Sequence, residues 1–574
     1  MAEYPDFKHG EYGEIETESI PLTDKNTSKM AMVYFGTAPV HLVEGGAANV
    51  NVPMLINNIG EAKKYMGYSD NWEDYTLCEP EKVHFMDIGV GPLVFINVLD
   101  PKINLKTADT TESKTPSDGA FTISDADLVM VDTIQVATKV KGTDYTATVN
   151  SANNTVVIAE KTSGSLGTDP LTVTYKKQAV GNVTLTPNNG RVTIANAEDA
   201  ILDSLKVMSG ATEKTKGTDY TASYVYSKKA IDIVEAAPGS LGTDALTITW
   251  SKIDPSTVTI EQLIGATDNY GLNTGLYTIK NVYNKTGYVP MYMLAPGFSS
   301  IPVVHAEMYQ NSLSIGKHWN AWMFVDMPVV DSLGSPITLA NAADWKNANG
   351  YNKDNEDVFF PLAKGADGKN YHLSVLAAAN FQELLVQNKG VPSMTASNTA
   401  CPIIEDLFFA ENVKGRVYDD EVINRCLNSN GIFSAAYISG RWAIWGGQAA
   451  SYNQDDGTSI NVFDTSLMML FYLTNDFQHR RNKDIDKPMT ASSLKMMRSE
   501  EQERIDRMLG TGALMSGKAL LDGSQEAKSD ILAGDFRIRF EVTPTPKAKS
   551  LTVTTVWTDD GYEAFYEAME EAVS

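Results

Sequence analysis

Hydrophobic positions in the first hundred residues predict strands with short helical segments between them. Met30–Val40 predicts a strand followed by a Gly-Thr-Ala-Pro turn, and Gly89–Pro101 has the pattern of a buried strand. Between them, Asn57–Gly67 predicts a short helix that a glycine ends. The start of the chain is therefore expected to contribute to a mixed α/β fold.

The same pattern returns in the middle of the chain. Val289–Ser300 predicts a buried strand and a turn, and Ala321–Pro328 predicts another apolar strand. Ser299 or Ser300 is expected to cap an intervening helix that continues to about His318. A strand, a helix and a strand at this spacing predict a right-handed βαβ unit.

The C-terminal third predicts helices followed by strands. Asp464–Arg481 predicts a buried helix with a capping Asp or Thr at its start and cations at its end, and Ser492–Gly510 predicts a helix with a broad apolar face. Asp535–Val542 alternates strictly between apolar and polar residues, and Leu551–Trp557 predicts a second strand. The two strands are expected to form an antiparallel pair with one buried face.

A tandem repeat lies between the first two regions. KGTDYTA occurs at Lys141–Ala147 and again at Lys216–Ala222, and GSLGTDPLTVTY recurs as GSLGTDALTITW at the same spacing. Short β-branched strands between Gly-Thr-Asp and Asn-Asn turns predict two small β-sandwiches. Tyr145 and Tyr220 are expected to be core or corner tyrosines of these sandwiches.

The repeats resemble the Ig-like domains that are appended to bacterial surface proteins and polysaccharide-degrading enzymes. The resemblance covers about residues 102–252 and implies modules at 104–178 and 179–255. Because apolar strand patterns flank the repeats, the modules are expected to be inserted at a surface loop whose two ends lie close together.

Composition narrows the classes of function. The 574 residues predict about four domains, and 43% of them are hydrophobic. The formal net charge of -25 argues against nucleic acid or an anionic membrane as the main partner. The longest strongly apolar run, about Leu467–Leu473, is too short to span a bilayer, and the first residues do not predict a signal peptide. The sequence has three cysteines: Cys78, Cys401 and Cys426. They lack the spacing of a disulfide or zinc motif, so we expect neither and infer that the protein folds in a reducing cytoplasm.

Motifs for nucleotide chemistry fail their tests. Gly512–Ala519 matches most of a phosphate-binding loop, but Ala519 stands where Ser or Thr should bind magnesium, and a helix pattern precedes the segment instead of a strand. Lys518 is therefore expected to be a surface or packing lysine. Neither a nucleophile elbow nor a HExxH, Cys-x-x-Cys or EF-hand motif occurs, so no cofactor or metal is expected.

Two alternatives stay open at this point. Glu307 and Asp326 could be the two carboxylates of a glycosidase, and Trp442 and Trp445 either stack on sugar or belong to the core. These residues keep a carbohydrate-active enzyme with Ig-like modules as the alternative function, and a cell-surface adhesin is a further one. The histidines lack ligand spacing and are expected to be structural: His9, His41, His84, His305, His318, His372 and His479.

Four stretches around the repeats resemble the tail sheath protein of contractile bacteriophage tails and of related contractile bacteriocins. They are VYFGTAPV with VPMLINNIGEAKKYMG, GVGPLVFINVLDP, the region around the turn Leu294–Ser299, and SNGIFSAAYISGRWAIWGG. The resemblance covers roughly Met30–Ile103 and Ser256–Trp557. The chain departs from the family at Gly447–Ala450, and at the C-terminal end, where it has the pattern of an amphipathic helix instead of a bare extended arm.

The resemblance implies an α/β and α+β multidomain protein: a mixed α/β sheath frame, a tandem all-β Ig-like insertion and a C-terminal α+β assembly domain. The implied divisions are a linking arm at residues 1–25, a sheath domain at 26–103 and 256–400, the two modules, and an assembly domain at 401–574 with a linking strand. The candidate subunit-linking residues are Phe536, Ile538, Phe540, Val542, Leu551, Val553 and Val556.

The implied function is that of a structural subunit, not an enzyme. Copies would polymerise helically around a tail tube and contract from a trapped extended state without nucleotide hydrolysis, which drives the tube through the host envelope. The implied partners are the chain itself, the tube protein, and baseplate and tail terminator proteins, with host surface glycans as a candidate for the modules. The implied location is the virion tail, assembled in the host cytoplasm.

Overall fold

The computed structural model describes residues 29–411, 416–452, 463–521 and 528–573. The predicted linking arm at residues 1–25 and His9 lie outside the described residues. The chain before the insertion forms β1 (Met30–Gly36), β2 (Met54–Ile56), α1 (Ile59–Tyr65), α2 (Cys78–Pro80) and β3 (Leu93–Asn97). The predictions of a strand at Met30, a short helix before Gly67 and a buried strand before Pro101 are confirmed. Asn58 caps α1 by accepting a hydrogen bond from the Glu61 amide.

The inserted region is all-β over the residues that the structure describes. Its strands are β4 (Thr107–Lys114), β5 (Ala120–Ser124), β6 (Gln135–Val136), β7 (Tyr145–Asn150), β8 (Thr155–Glu160), β9 (Leu171–Gln178), β10 (Val180–Leu185), β11 (Arg191–Ala195), β12 (Lys206–Ser209), β13 (Thr212–Lys214), β14 (Tyr220–Val225), β15 (Ala230–Glu235) and β16 (Leu246–Ser251). Each repeat forms two antiparallel sheets, β4-β9-β6 with β5-β8-β7 and β10-β16-β12-β13 with β11-β15-β14.

Each repeat also has a core of its own between its two sheets. Tyr145 and Tyr220 are buried in these cores, as predicted. The Tyr145 hydroxyl donates to the Ile134 carbonyl over 3.0 Å, and the Tyr220 hydroxyl donates to the Leu205 carbonyl over 3.4 Å. Equivalent tyrosines therefore close equivalent corners of the two units.

The ends of the insertion meet, as the sequence predicts. The Lys106 amide donates to the Lys252 carbonyl over 2.8 Å, and the Asp254 amide donates to the Asn104 carbonyl over 2.9 Å. The second unit also rests on the frame, because the Tyr226 hydroxyl donates to the Lys63 carbonyl over 2.7 Å. The insertion therefore leaves and re-enters the frame at one place.

After the insertion the chain alternates helices and strands. The elements are α3 (Ile260–Ile264), α4 (Val282–Thr286), β17 (Val289–Leu294), α5 (Pro302–Ser312), β18 (Trp322–Asp326), α6 (Ala342–Ala348), β19 (Glu356–Phe359), β20 (Leu362–Gly365), β21 (Asn370–His372), α7 (Leu373–Gln387), β22 (Ile404–Phe408), α8 (Asp420–Cys426), β23 (Ile432–Ile438) and β24 (Arg441–Trp445). The C-terminal elements are α9 (Asp464–Arg481), α10 (Ala491–Gly510), β25 (Leu514–Leu521), α11 (Lys528–Ala533), β26 (Ile538–Pro544) and α12 (Asp560–Val573).

The main sheet combines strands from both sides of the insertion. Its described strands lie in the order β2-β3-β1-β17-β18-β19-β23-β24, and the inner ones are parallel. Their near-continuous apolar sequences are typical of parallel strands that are covered on both faces. The βαβ arrangement is confirmed, since β17 and β18 are adjacent and parallel with α5 between them, and its right-handedness stays a prediction. Because β23 and β24 belong to this sheet, the sheet extends past the division expected at residue 400.

The predicted limits of the helix between β17 and β18 are wrong. Helix α5 follows Ile301, with Pro302 in its first turn, and ends at Ser312 instead of near His318. Ser299 does not cap it, because the Ser299 hydroxyl accepts a hydrogen bond from the Asp326 amide of β18 over 3.1 Å. Proline is well suited to the first position of a helix, where no backbone donor is needed.

Candidate subunit-linking site

Buried ion pairs fasten the two long C-terminal helices to each other. Arg480 on α9 contacts Asp476 over 2.8 Å and Glu501 on α10 over 2.7 Å, and Arg481 contacts Glu501 over 2.5 Å. Burial acts to raise the pKa of Glu501, but the hydrogen bonds and charges of the two arginines outweigh it, so the pKa lies below its ordinary value. The predicted ranges of both helices are confirmed. Asp464 is the first residue of α9, with Phe463 before it, and so is not the residue that precedes and caps the helix.

The strand that follows α10 is the one that pairs with β26. β25 and β26 are antiparallel, with Leu514 opposite Pro544 and Leu521 opposite Ile538. The predicted pairing of Asp535–Val542 with Leu551–Trp557 is therefore wrong. The P-loop-like segment Gly512–Ala519 is a turn leading into β25, and Lys518 is an exposed strand residue, as expected. The pairing partner was missed because Gly517 and Lys518 interrupt the apolar alternation of β25.

Helix α10 covers the outer edge of β25. The Gln502 side chain accepts from the Ala519 amide over 2.8 Å and donates to the Gly517 carbonyl over 3.3 Å. Arg498 donates to the Ala519 carbonyl over 2.8 Å. Side chains thus bind outward-facing backbone groups of Gly517 and Ala519, which blocks the middle of the β25 edge as a place for another strand.

The outer edge of β26 remains open among the described residues, where the small sheet consists of β25 and β26. Ala519 lies directly opposite Phe540. Since hydrogen-bonding positions alternate along an antiparallel pair, and the backbone groups of Ala519 face α10, those of Phe540 face the open edge. Alternation of the β26 side chains is confirmed: Ile538, Phe540 and Val542 are half-buried, and the residues between them are exposed.

The second predicted linking strand lies free of the body. Leu551, Val553 and Trp557 have relative exposures of 91%, 87% and 76%, and no regular strand forms over these residues. Lys549 is the last residue before this segment with a described hydrogen bond to the body, which its ammonium donates to the Tyr452 hydroxyl over 2.8 Å. The segment has the residues of an amphipathic strand and lacks a partner strand in its own described chain.

Helix α12 continues from this segment and is exposed along its whole length. The predicted amphipathic pattern is present: one face is apolar, and the acidic residues lie on the other side of the helix. The exposed apolar residues are Tyr562, Phe565, Tyr566, Met569 and Val573.

An apolar groove lies beside the start of β26. Its volume is about 740 Å³, and its walls come from the end of α9, the connection 484–489, the start of α10, and residues 533–538 around the start of β26. Phe477, Leu494, Met497 and Phe536 are among its apolar lining residues. Phe536, a candidate linking residue, thus lies in the groove wall, two positions before the strand begins.

The carboxylates of the glycosidase alternative are not arranged as a solvent-accessible pair. Asp326 is buried, and both of its oxygens are bound by Ser374, one by the hydroxyl and one by the amide. Burial raises the pKa of Asp326, although the Ser374 hydrogen bonds act to lower it. Glu307 lies on α5, in the middle of that helix. Asp326 is therefore not exposed to a substrate in solution, and both of its oxygens are bound within the fold.

The two candidate sugar-stacking tryptophans belong to the fold. Trp442 and Trp445 both lie on β24, and because three positions separate them, they point to opposite faces of the sheet. The Trp442 ring nitrogen donates to the Glu405 carbonyl over 3.0 Å, and that of Trp445 donates to the Asn424 side chain over 2.8 Å. They cannot form one stacking platform.

Four histidine side chains in the described residues are hydrogen-bonded within the fold: His41, His84, His305 and His372. His84 lies between Tyr34 and Gln382, and His372 contacts Glu79 over 2.6 Å. Burial acts to lower the pKa of His372, but the charge of Glu79 raises it to about 9. No group of three or more His, Cys, Asp or Glu side chains suited to a metal ion occurs within the described ranges.

In the part of the chain that the structure describes, no helix has the length and apolar character needed to cross a membrane.

Comparisons with known proteins identify relatives among tail sheath proteins. The chain is 24% identical over 384 residues to the tail sheath protein of Burkholderia phage BcepMu, covering 66% of this chain and 78% of the relative. It is 20% identical over 315 residues to the major tail sheath protein of Serratia phage KSP20, covering 54% of this chain and 73% of that one. No protein-family profile matches the chain.

Among solved structures, the crystal structure of a sheath tail protein from Desulfitobacterium hafniense matches with a TM-score of 0.40 and 10% identity. The match covers 89% of this chain and 94% of that one. The two sequence relatives are the stronger finding. The chain is a structural subunit of a tail sheath, a component of the virion tail, and is not an enzyme; the carbohydrate-active alternative is not favoured.

Proposed function

We propose that the copies of this chain polymerise helically around a tail tube and are linked by strand exchange at the edge of β26. In this proposal, residues 551–557 of one copy add as a strand antiparallel to β26 of a neighbouring copy. The observation that carries it is that, among the described residues, the outer edge of β26 is open and the exposed segment 551–557 has no partner strand. An open edge and a free strand are complementary, because each satisfies the other's backbone groups.

The lengths and side chains of the two segments agree in one register. With Leu551 opposite Pro544 and Trp557 opposite Ile538, the segment spans β26 from end to end. Val553 then lies opposite Val542, so the apolar residues of both strands share one face. In this register Val556, a candidate linking residue, points to the other face.

The energy of such a link comes from backbone hydrogen bonds and apolar burial. Leu551, Val553 and Trp557 are almost fully exposed in the single chain. Burying each contributes about 1.5–3 kcal/mol as an upper estimate. Backbone pairing adds a contribution that tolerates rotation of the linked bodies, since it depends little on side chains. The link can thus persist while the sheath shortens.

Contraction in this proposal needs no nucleotide. An extended lattice held in a kinetic trap would release the free energy of new lateral contacts over many copies, and this would drive the tube through the host envelope. The other partners we propose are the tube protein, and baseplate and tail terminator proteins, with assembly in the host cytoplasm. The N-terminal arm at residues 1–25 is proposed as a second link.

The inserted units have a different proposed role. We propose that the units at 104–178 and 179–255 are Ig-like modules and that they project outwards from the sheath, with host surface glycans as candidate ligands. Their closed ends at Lys106 and Lys252 support this division, because the frame sheet continues on both sides of the insertion. We also propose two domains outside the insertion. Residues 26–103 and 256–400 form the sheath domain together with β23 and β24, and the rest of 401–574 forms the assembly domain.

Electron microscopy of the purified protein tests the proposal. Full-length chain should form long tubes, and a chain ending at Ser550 should stay dispersed while keeping its folded circular dichroism spectrum. The matched control ends at Asp559, which removes α12 but keeps the proposed strand, and should still associate through the strand. Tubes of normal length from the chain that ends at Ser550 would contradict the proposed link.

A further inference from the structure

Helix α12 is amphipathic, and its residues are exposed along its whole length. α12 has 14 residues, and an isolated helix of that length is marginal in water. It also carries Glu570 and Glu571 near its C-terminal end, where negative charge opposes the helix dipole. Such a helix is stable when its apolar face packs against something.

The apolar residues of α12 form a single stripe. Tyr562, Phe565, Tyr566 and Met569 follow the spacing of one helix face, and Val573 extends it by another turn. Each is at least half exposed in the single chain. A stripe of this size on an otherwise acidic helix is typical of a docking segment.

The proposed strand register determines where this helix arrives. Antiparallel addition to β26 brings Trp557 to Ile538, at the end of the strand where the apolar groove opens. The helix begins at Asp560, so a short link separates the strand from the helix. Phe477, Leu494, Met497 and Phe536 line the groove within reach of this point.

We propose that α12 of one copy docks its apolar stripe into the groove between α9, α10 and the start of β26 in the neighbouring copy. The occupant is thus a second copy of this chain. The helix locks the exchanged strand in register, because it adds apolar contacts that a strand slipped by one residue cannot keep. This inference rests on the proposed strand exchange.

Engineered disulfides test the helix and the strand separately. In a Cys426→Ser background, one tagged chain carries Phe565→Cys and a second chain with a different tag carries Met497→Cys, so a disulfide can form only between copies. The matched control places the cysteine on the acidic side, as Glu567→Cys, against the same Met497→Cys. The strand is tested in parallel with Thr554→Cys against Glu541→Cys, which are opposite in the proposed register.

The inference predicts that mild oxidation of assembled tubes gives a disulfide between Phe565→Cys and Met497→Cys at least tenfold more abundant than the Glu567→Cys control. A strand disulfide without the helix disulfide would overturn the docking and leave the strand exchange standing. If neither disulfide forms, both fail. A third chain that carries both Phe565→Cys and Met497→Cys covers the remaining case. A disulfide within that chain, with none between the two differently tagged chains, would show docking within one copy and would also overturn the inference.

Discussion

Replacing Val553 by aspartate tests both the existence and the register of the proposed link. Val553 has a relative exposure of 87% in the single chain, so the substitution should leave the folding of the subunit unchanged. In the assembled sheath Val553 would face Val542 on the half-buried side of the sheet. The matched control is Val556→Asp, which has the same chemistry on the opposite, solvent-facing side.

The expected loss follows from burial. Loss of the buried valine side chain removes about 1.5 kcal/mol of apolar burial from the binding free energy of the link. A carboxylate at the same apolar position adds a desolvation cost of about 2 kcal/mol or more. A total of roughly 3.5 kcal/mol weakens each link by more than a hundredfold, since each 1.4 kcal/mol is a factor of ten. Val556→Asp should change the link less than about threefold, as exposed substitutions do.

The assay is sedimentation of assembled tubes over a range of protein concentration, with electron micrographs of each pellet. Val553→Asp should raise the concentration needed for assembly by at least a hundredfold, and Val556→Asp should leave it near that of the original chain. The opposite order would mean that the strand is shifted by one residue, which exchanges its two faces. Equal behaviour of the two variants would refute the reasoning.

Three further predictions concern the body of the subunit. Glu501→Gln should lower the free energy of unfolding by about 3 kcal/mol at pH 7, because it leaves Arg480 and Arg481 without their shared carboxylate. Because folding lowers the pKa of Glu501, its carboxylate contributes to stability above the unfolded pKa of about 4.3, and this contribution is lost as the pH falls further. The free energies of unfolding of the original chain and of Glu501→Gln should therefore converge in acid. A difference in stability that stays constant with pH would contradict this. Tyr145→Phe should cost about 1 kcal/mol in thermal unfolding by removing the bond to Ile134, and no change would argue against its corner role. Replacing residues 107–251 by a short Gly-Ser linker should leave tube assembly intact in micrographs, because the ends of the insertion are hydrogen-bonded to each other; loss of folding would show that the frame depends on it.

The long apolar patterns in the sequence predict most of the strands and helices of the frame. The strand at Met30, the strand before α5 and the helix Asp464–Arg481 were predictable because each buries a continuous or periodic apolar sequence. The repeat was equally clear, since its turns recur in one register. These features are local, so they do not depend on which distant segment is the partner.

The prediction was wrong where partners are chosen by tertiary contacts. Asp535–Val542 was correctly expected to be a strand, but its partner is β25, whose alternation Gly517 and Lys518 interrupt. The covering of the β25 edge by Gln502 and Arg498 also has no pattern in the sequence, because it depends on how α10 lies across the strand. Likewise the Ser299 hydroxyl was available to cap α5, but the fold uses it to bind β18.

The central claim is that residues 551–557 of each copy complete the sheet of another copy, and helical reconstruction of the assembled tubes by electron cryomicroscopy tests it most directly. The account predicts density for this segment along the free edge of β26 in a neighbouring subunit, antiparallel to it and with Trp557 near Ile538. The account would be contradicted by density in which residues 551–557 pack against their own chain and no β26 edge pairs with a neighbouring subunit.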